Sequence, residues 1–184
     1  MKDLSLNLLD IAENSVKAGA TLTQLLLTQE AGILTFQVVD DGCGMTEEVL
    51  RGVVDPFYTT RTTRKVGMGL PLLRMAAEQT GGTMTVESRH KDAYPDNHGT
   101  VVTAVFHTDH IDCPPVGDLV ATVTTLIQGH PDTDFLFRHT IDESVVELDT
   151  RQLREILGEV SLAEYEVLQW ITGFLQDQYN PQDT

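Results

Sequence analysis

Asp10 and Asn14 stand four residues apart in Asp10-Ile-Ala-Glu-Asn14-Ser-Val-Lys17-Ala-Gly-Ala20, so a helix places both on one face. There a carboxylate and an amide oxygen can share a hydrated metal ion and a water, although an ordinary solvated face shows the same spacing. In Val39-Asp40-Asp41-Gly42-Cys43-Gly44-Met45 a β-rich run ends in an acid followed by two glycines. An acid at a strand end can accept from an exocyclic amine, and glycine lets the backbone approach a flat ring; a plain Asp-Gly turn carries the same residues. Further on, Asp55-Pro-Phe57-Tyr-Thr-Thr60 is followed by three cations within five residues, Arg61, Arg64 and Lys65. Gly67-Met68-Gly69-Leu70 then leads into a helix, whose free N–H groups and dipole suit an anion such as phosphate. Neither G-x-x-x-x-G-K-[ST] nor a three-glycine dinucleotide fingerprint is present.

These residues need elements to hold them. Leu4, Leu8, Ile11 and Ser15 recur at steps of three and four and predict a helix over 3–18, stopped at Gly19. Strands are expected at 21–29 and 33–40, a short helix at 47–54 ended by Pro56, and a helix at 68–79 closed by Gly81-Gly82. A hairpin of 83–88 and 100–107 completes an α-β-β-α-α-β-β order. That order predicts an α/β sandwich of α+β type with hairpin-linked strands, because parallel pairs need longer crossovers.

At this point the chain resembles the GHKL superfamily of ATPases, which includes histidine kinases, gyrase B, MutL and anti-sigma-factor kinases. The four segments resemble its N, G1, F and G2 boxes in the family's order, and residues 4–107 cover nearly all of its nucleotide-binding core. The first box is similar to that of MutL. Asp55-Pro-Phe-Tyr-Thr-Thr60, Gly69-Leu-Pro-Leu-Leu73, Gly81-Gly-Thr83 and Gly99-Thr100 look like sensor histidine kinases, the nearer of the two. The resemblance implies a Bergerat-type ATP-binding fold, with a mostly antiparallel sheet backed by helices, and ATP with Mg²⁺ as cofactors. It implies that Asn14 coordinates Mg²⁺, that Asp40 bonds the adenine amine, and that Gly42, Gly44 and Met45 line the base pocket. Gly67, Gly69 and Leu70 fall near the phosphates, 59–66 acts as a lid, and Arg61 and Lys65 contact phosphate. Lys17, Phe57, Thr60, Met68 and Thr100, in the same motifs, join the nucleotide-binding set. Asp10 stands where many hydrolysing members carry Glu as general base and is shorter by a methylene. Glu13 is the fallback, about 100° round the helix from Asn14.

Residues 1–111 are thus read as a histidine-kinase-like ATP-binding domain, and 112–184 as a small acidic α+β extension. The charge supports a boundary there: 9 basic and 13 acidic residues fall in 1–108, against 3 and 15 in 109–184. The turn-prone stretch His110 to Gly117 lies between them. The second part predicts a helix at 117–128, strands at 134–140 and 144–148, and helices at 150–157 and 162–178. The first of these last two is capped by Asp149 or Thr150, the second by Ser161 with Glu164. Leu153, Ile156, Leu157, Leu168, Ile171 and Leu175 form their apolar stripe, read as core.

With 184 residues, 41% of them hydrophobic, the chain is globular rather than disordered. Two cysteines make no disulfide framework and suit a reducing compartment. The net charge of −16 opposes nucleic-acid and anionic membrane partners. The amino terminus carries Asp3 and Asp10 in no long apolar run, and the greasiest stretch, 116–127, is too short to span a bilayer, so a cytoplasmic location is expected. Too few residues precede the first helix for a phosphoacceptor hairpin, so the expected role is that of a stand-alone regulatory protein. It is expected to bind ATP and ADP, and with ATP to phosphorylate histidine or serine on a protein partner in trans, or to control that partner through nucleotide. The alternatives are a MutL- or gyrase-like clamp, in which slow ATP hydrolysis drives homodimer closure, and a non-catalytic interaction module with structural nucleotide.

Overall fold

The computed structural model describes residues 3–54 and 69–180. Its elements are α1 (Leu4–Lys17), β1 (Leu22–Glu30), β2 (Ile33–Asp40), α2 (Glu47–Val54), α3 (Gly69–Gln79), β3 (Thr83–Arg89) and β4 (Gly99–His107). They continue with α4 (Leu119–Gly129), β5 (Asp134–Ile141), β6 (Ser144–Asp149), α5 (Thr150–Leu157) and α6 (Tyr165–Tyr179).

Six strands form one sheet in the order β3-β4-β2-β1-β5-β6. Alternation sets its register. Leu25 of β1 pairs with Val38 of β2 and Phe137 of β5, and Val38 pairs with Val102 of β4, so a buried apolar row crosses the sheet. Slipping any strand by one residue would turn that row to solvent. The helices cover this face: Leu4, Leu8, Ile11 and Ser15 of α1, the face expected from their spacing, are all buried. Among the described residues no helix is long and apolar enough to cross a membrane.

The α+β sandwich matches the expected architecture with one difference: the sheet is mixed. β1 and β5 pair in parallel from Leu22↔Asp134 to Gln29↔Ile141. Helix α4 supplies the crossover that parallel pairing requires, carrying the chain from β4 to β5. The change of composition near residue 112 therefore falls inside a continuous sheet. The N–H groups of Leu4 and Ser5, unpaired at the start of α1, donate to the carbonyls of Pro115 and Val116 at 2.9 and 2.8 Å. Thr122 of α4 donates to the Ser5 carbonyl at 3.2 Å, and Thr124 meets Thr172 of α6 at 3.3 Å, so α4 lies between α1 and α6.

Of the two cap candidates for α5 the structure takes the first, and the cap of α6 differs from the expected one. Asp149 caps α5, accepting from the Arg151 N–H at 3.0 Å, while Thr150 accepts from Phe135 N–H and donates to Asp134. Helix α6 begins at Tyr165, and Ser161 caps the turn before it by accepting from Ala163 N–H. Gln178 of α6 bonds both the N–H and the carbonyl of Glu147, satisfying outward groups of the edge strand β6 that would otherwise invite another strand.

Buried His139 on β5 fixes α6 to the sheet. Its Nε2 donates to the Gln29 side-chain carbonyl at 2.6 Å, which leaves Nδ1 to accept from the Tyr179 hydroxyl at 2.7 Å. Burial lowers the imidazole pKa from 6.5 to about 4 and raises that of the Tyr179 phenol, keeping both neutral. A depressed folded-state pKa gives stability that is complete above the unfolded value and is lost as pH falls toward the folded one. We therefore expect the urea midpoint to drop between about pH 6.5 and 4, and the drop to flatten in His139→Gln. An unchanged slope in the variant would assign the drop to other groups.

Candidate functional site

The last turns of α1, the end of β2, the loop after it, α2, α3 and β4 enclose a cavity of about 250 Å³. Helical spacing brings Ile11, Asn14, Ser15 and Ala18 to its wall, with Lys17 at the rim. Met45, Val49, Leu70 and Val102 make the rest largely apolar, and Asp40 and Thr100, opposite each other on β2 and β4, add polar groups.

Asp40 is held from two directions. One carboxylate oxygen accepts from the Ser15 hydroxyl at 2.7 Å and the other from the Gly42 N–H at 2.9 Å. Each oxygen has a further lone pair, so the carboxylate is oriented and can still take another donor. Asp41 points elsewhere and ties the loop to the start of β1. Burial works against its charge, but N–H bonds from Leu22 and Thr21 and the Thr21 hydroxyl outweigh it and hold the carboxyl below the usual range.

The loop is clamped to the β3–β4 hairpin. Met45 N–H donates to Ser88 Oγ at 2.8 Å, Lys91 N–H to the Cys43 carbonyl at 2.8 Å, and His98 Nδ1 to the Gly42 carbonyl. Ser88 also bonds Thr100 Oγ1 at 2.8 Å, joining the loop to the cavity floor. At Gly44 the chain adopts φ +72°, and a Cβ there would lie 1.9 Å from the Arg89 carbonyl oxygen. Only glycine fits this approach.

Of the residues expected at the site, Asn14, Lys17, Asp40, Gly44, Met45, Leu70 and Thr100 line the cavity together. Gly42 is buried beside Ala18 and serves Asp40 through its N–H rather than by lining the wall. Asp10 is exposed on α1 beside Gly69, whose Cβ position lies 3.5 Å from the Asp10 Cβ. Glu13 does not reach the cavity. Its position round the helix turns it to the end of α4, where its carboxylate accepts from His130 Nε2 at 2.9 Å. Phe57, Thr60, Arg61, Lys65, Gly67 and Met68 lie outside the described residues. Sequence reasoning missed Ser15 as a partner of Asp40, and Ser88 and His98 as supports of the loop. Ser15 alone had a signal, one turn after Ile11 on the buried face.

Residues 2–110 match the family described as histidine kinase-, DNA gyrase B-, and HSP90-like ATPase. The chain belongs to this ATPase family. It is 31% identical to the sensor histidine kinase ZraS of Klebsiella oxytoca over 88 residues, 48% of this chain and 19% of that protein. To the sensor protein KdpD of Clostridium acetobutylicum it is 28% identical over 87 residues, 45% of this chain and 10% of that protein. The chain thus spans a small fraction of the length of these relatives. Among solved structures, the Aquifex aeolicus MutL ATPase domain complexed with ADP superposes with a TM-score of 0.54 at 13% identity, covering 85% of this chain and 69% of that one. The N-terminal domain of a DNA repair protein gives 0.52 at 15% identity, covering 80% and 52%. These likenesses are of fold, and since residues 2–110 are fewer than 85% of the chain, the first extends into the acidic second part. Every residue that lines the cavity beside Asp40 lies within the stretch that matches the family.

Gly44→Ala should cost about 1–3 kcal/mol from backbone strain alone, lowering the melting temperature by at least a few degrees and removing any nucleotide-induced thermal shift. Cys43→Ala, in the same loop without that contact, should keep both. Equal behaviour of the two variants in thermal-shift assays would contradict the clamp.

Proposed function

We propose that this protein binds ATP with Mg²⁺ in the cavity and uses the nucleotide to phosphorylate, or to control its hold on, a protein partner in trans. The observation that carries this is Asp40, a carboxylate in an apolar cavity, oriented by Ser15 and Gly42 with acceptor capacity left over. The exocyclic amine of adenine donates to such a group. Guanine presents a carbonyl oxygen at the same position and is repelled. Apolar walls from Ile11, Met45, Val49 and Val102 suit the faces of the ring.

A Mg²⁺ ion fits the same wall. Among the described residues no group of three acids, histidines or cysteines gathers to hold a metal. Mg²⁺ in nucleotide sites needs little of that kind, because phosphates and waters supply most of its ligands. The Asn14 side-chain oxygen is the protein ligand in this reading, and Lys17 adds a cation at the rim. When bound, the ion offsets phosphate charge. In this reading Gly67, Gly69 and Leu70 take the phosphate side with Arg61 and Lys65, and Phe57, Thr60 and Met68 belong to the nucleotide-binding set, those of 57–68 lying outside the described residues.

The histidines support an acceptor on another chain. His98 bonds Gly42, His107 the Thr80 carbonyl, His130 Glu13, and His139 is buried. His90 and His110 cap turns by accepting from Asp92 and Asp112 N–H groups. In the transfer, a partner side chain attacks the γ-phosphorus, the bond to the β–γ bridging oxygen breaks, and ADP leaves. The pocket contributes positioning and charge. The cytoplasm, with its ATP and reduced thiols, is the compartment this reading implies, and the −16 charge argues against a nucleic-acid partner.

A second reading, an ATP-driven clamp, draws on the fold likeness to the MutL ATPase domain over 85% of the chain. Asp10, exposed beside the start of α3, is then the carboxylate that activates water.

Incubation of the protein and its co-purified partner with γ-labelled ATP separates the two. Transfer predicts label on the partner, reduced at least tenfold by Asn14→Ala. A clamp predicts slow phosphate release lost in Asp10→Asn and a nucleotide-dependent doubling of mass. No label and no effect of nucleotide on partner retention would overturn the leading reading.

A further inference from the structure

Helices α5 and α6 leave an apolar groove of about 360 Å³ between them, lined by Leu153, Ile156, Leu157, Glu166, Val167 and Trp170. The stripe read from the sequence splits here. Leu153, Leu168, Ile171 and Leu175 enter the core, whereas Ile156 is 82% exposed and Trp170 51%. Trp170 stacks on Phe174 with ring centroids 4.8 Å apart and planes 12° from parallel, which holds a large aromatic surface in one orientation. Phe174, 38% exposed, completes the same face. A cluster of this kind is more than the scattered apolar residues normal on a surface.

The segment that forms it is acidic. Glu166 lines the groove, and the same segment carries Glu155, Glu159 and Glu164, all exposed. None of these four forms an ion pair among the described residues. The two arginines of α5 offset nothing there, because Arg154 pairs with Asp134 at 2.7 Å and Arg151 with Asp149 at 2.8 Å. Phosphate-bearing surfaces are repelled by such a charge, and a second copy would set glutamates against glutamates. A slot between two helices, apolar at its floor and anionic at its edge, is complementary to a helix with an apolar stripe and basic flanks.

We propose that the α5–α6 groove docks a basic amphipathic helix of a partner protein. Apolar anchors of that helix lie against Ile156 and Trp170, one of its Lys or Arg side chains meets Glu166, and the others are drawn by the charge of Glu155, Glu159 and Glu164. The inference goes beyond the nucleotide reading and is independent of it, since the groove is formed without any residue of the ATP cavity.

Trp170 is the only tryptophan in the chain, so its fluorescence reports on the groove directly. The test titrates the full chain, without nucleotide, with a synthetic Leu/Lys peptide of helical stripe pattern. Two controls accompany it: a scrambled peptide of the same composition, and a twin with Glu for Lys. The expected result is a blue shift of Trp170 emission with the Leu/Lys peptide alone. Affinity should fall at least tenfold in Ile156→Asp and in the pair Glu155→Lys with Glu166→Lys, and hold within about twofold in Glu47→Lys with Glu48→Lys on α2. Ile156 is exposed enough for its substitution to leave the fold intact, which circular dichroism checks. No shift, equal binding of the scrambled peptide, or indifference to Ile156→Asp would overturn the proposal. A peptide-free shift that follows protein concentration, with doubled mass, would give the groove to a second copy and overturn it equally.

Discussion

A carboxylate facing an apolar cavity is costly unless its oxygens are hydrogen-bonded, and Asp40 meets that requirement with two donors from different elements. Ser15 reaches it from α1 and the Gly42 N–H from the loop after β2, so α1, β2 and the loop must be in register for the acid to be tolerated. The surroundings serve the same end. Asp41 ties the loop to β1, Cys43 N–H donates to the Ala18 carbonyl, and Ser88 and His98 hold the far side. A carboxylate positioned this firmly, with unused acceptor capacity, is organised for a donor from a ligand.

The acidic second part belongs to the same structural unit. Parallel pairing of β5 with β1 extends the sheet, α4 packs between α1 and α6, and His130 bonds Glu13 on the helix that carries Asn14. The helix that contributes four residues to the cavity thus rests partly on residues after 112. Farther out, α6 covers the β6 edge through Gln178 and is anchored by His139, leaving its outer face, with Trp170 and Phe174, to solvent.

Much of this was legible locally. The face of α1, the alternation of β1 and β2, and the acid at the end of β2 follow from short-range spacing, and the order of four motifs identifies the family. What escaped is non-local. The hairpin-like order of strands gives no hint that β5 returns beside β1, because β5 begins more than a hundred residues after β1 ends. Ser88 and His98 belong to no motif and acquire roles only when the β3–β4 hairpin meets the loop. Ile156 shares the period of Leu153 and Leu157, yet period alone cannot say how wide a face the neighbouring helix covers.

The central claim is that Asp40 reads adenine, and calorimetric titration of ATP, ADP and GTP, with and without Mg²⁺, tests it most directly on wild type and Asp40→Asn. The account predicts binding selective for adenine nucleotides, tighter for ATP when Mg²⁺ is present, and weakened at least tenfold in the variant. Folded wild-type protein that binds none of the three, or that binds GTP as well as ATP with Asp40→Asn unchanged, would contradict it.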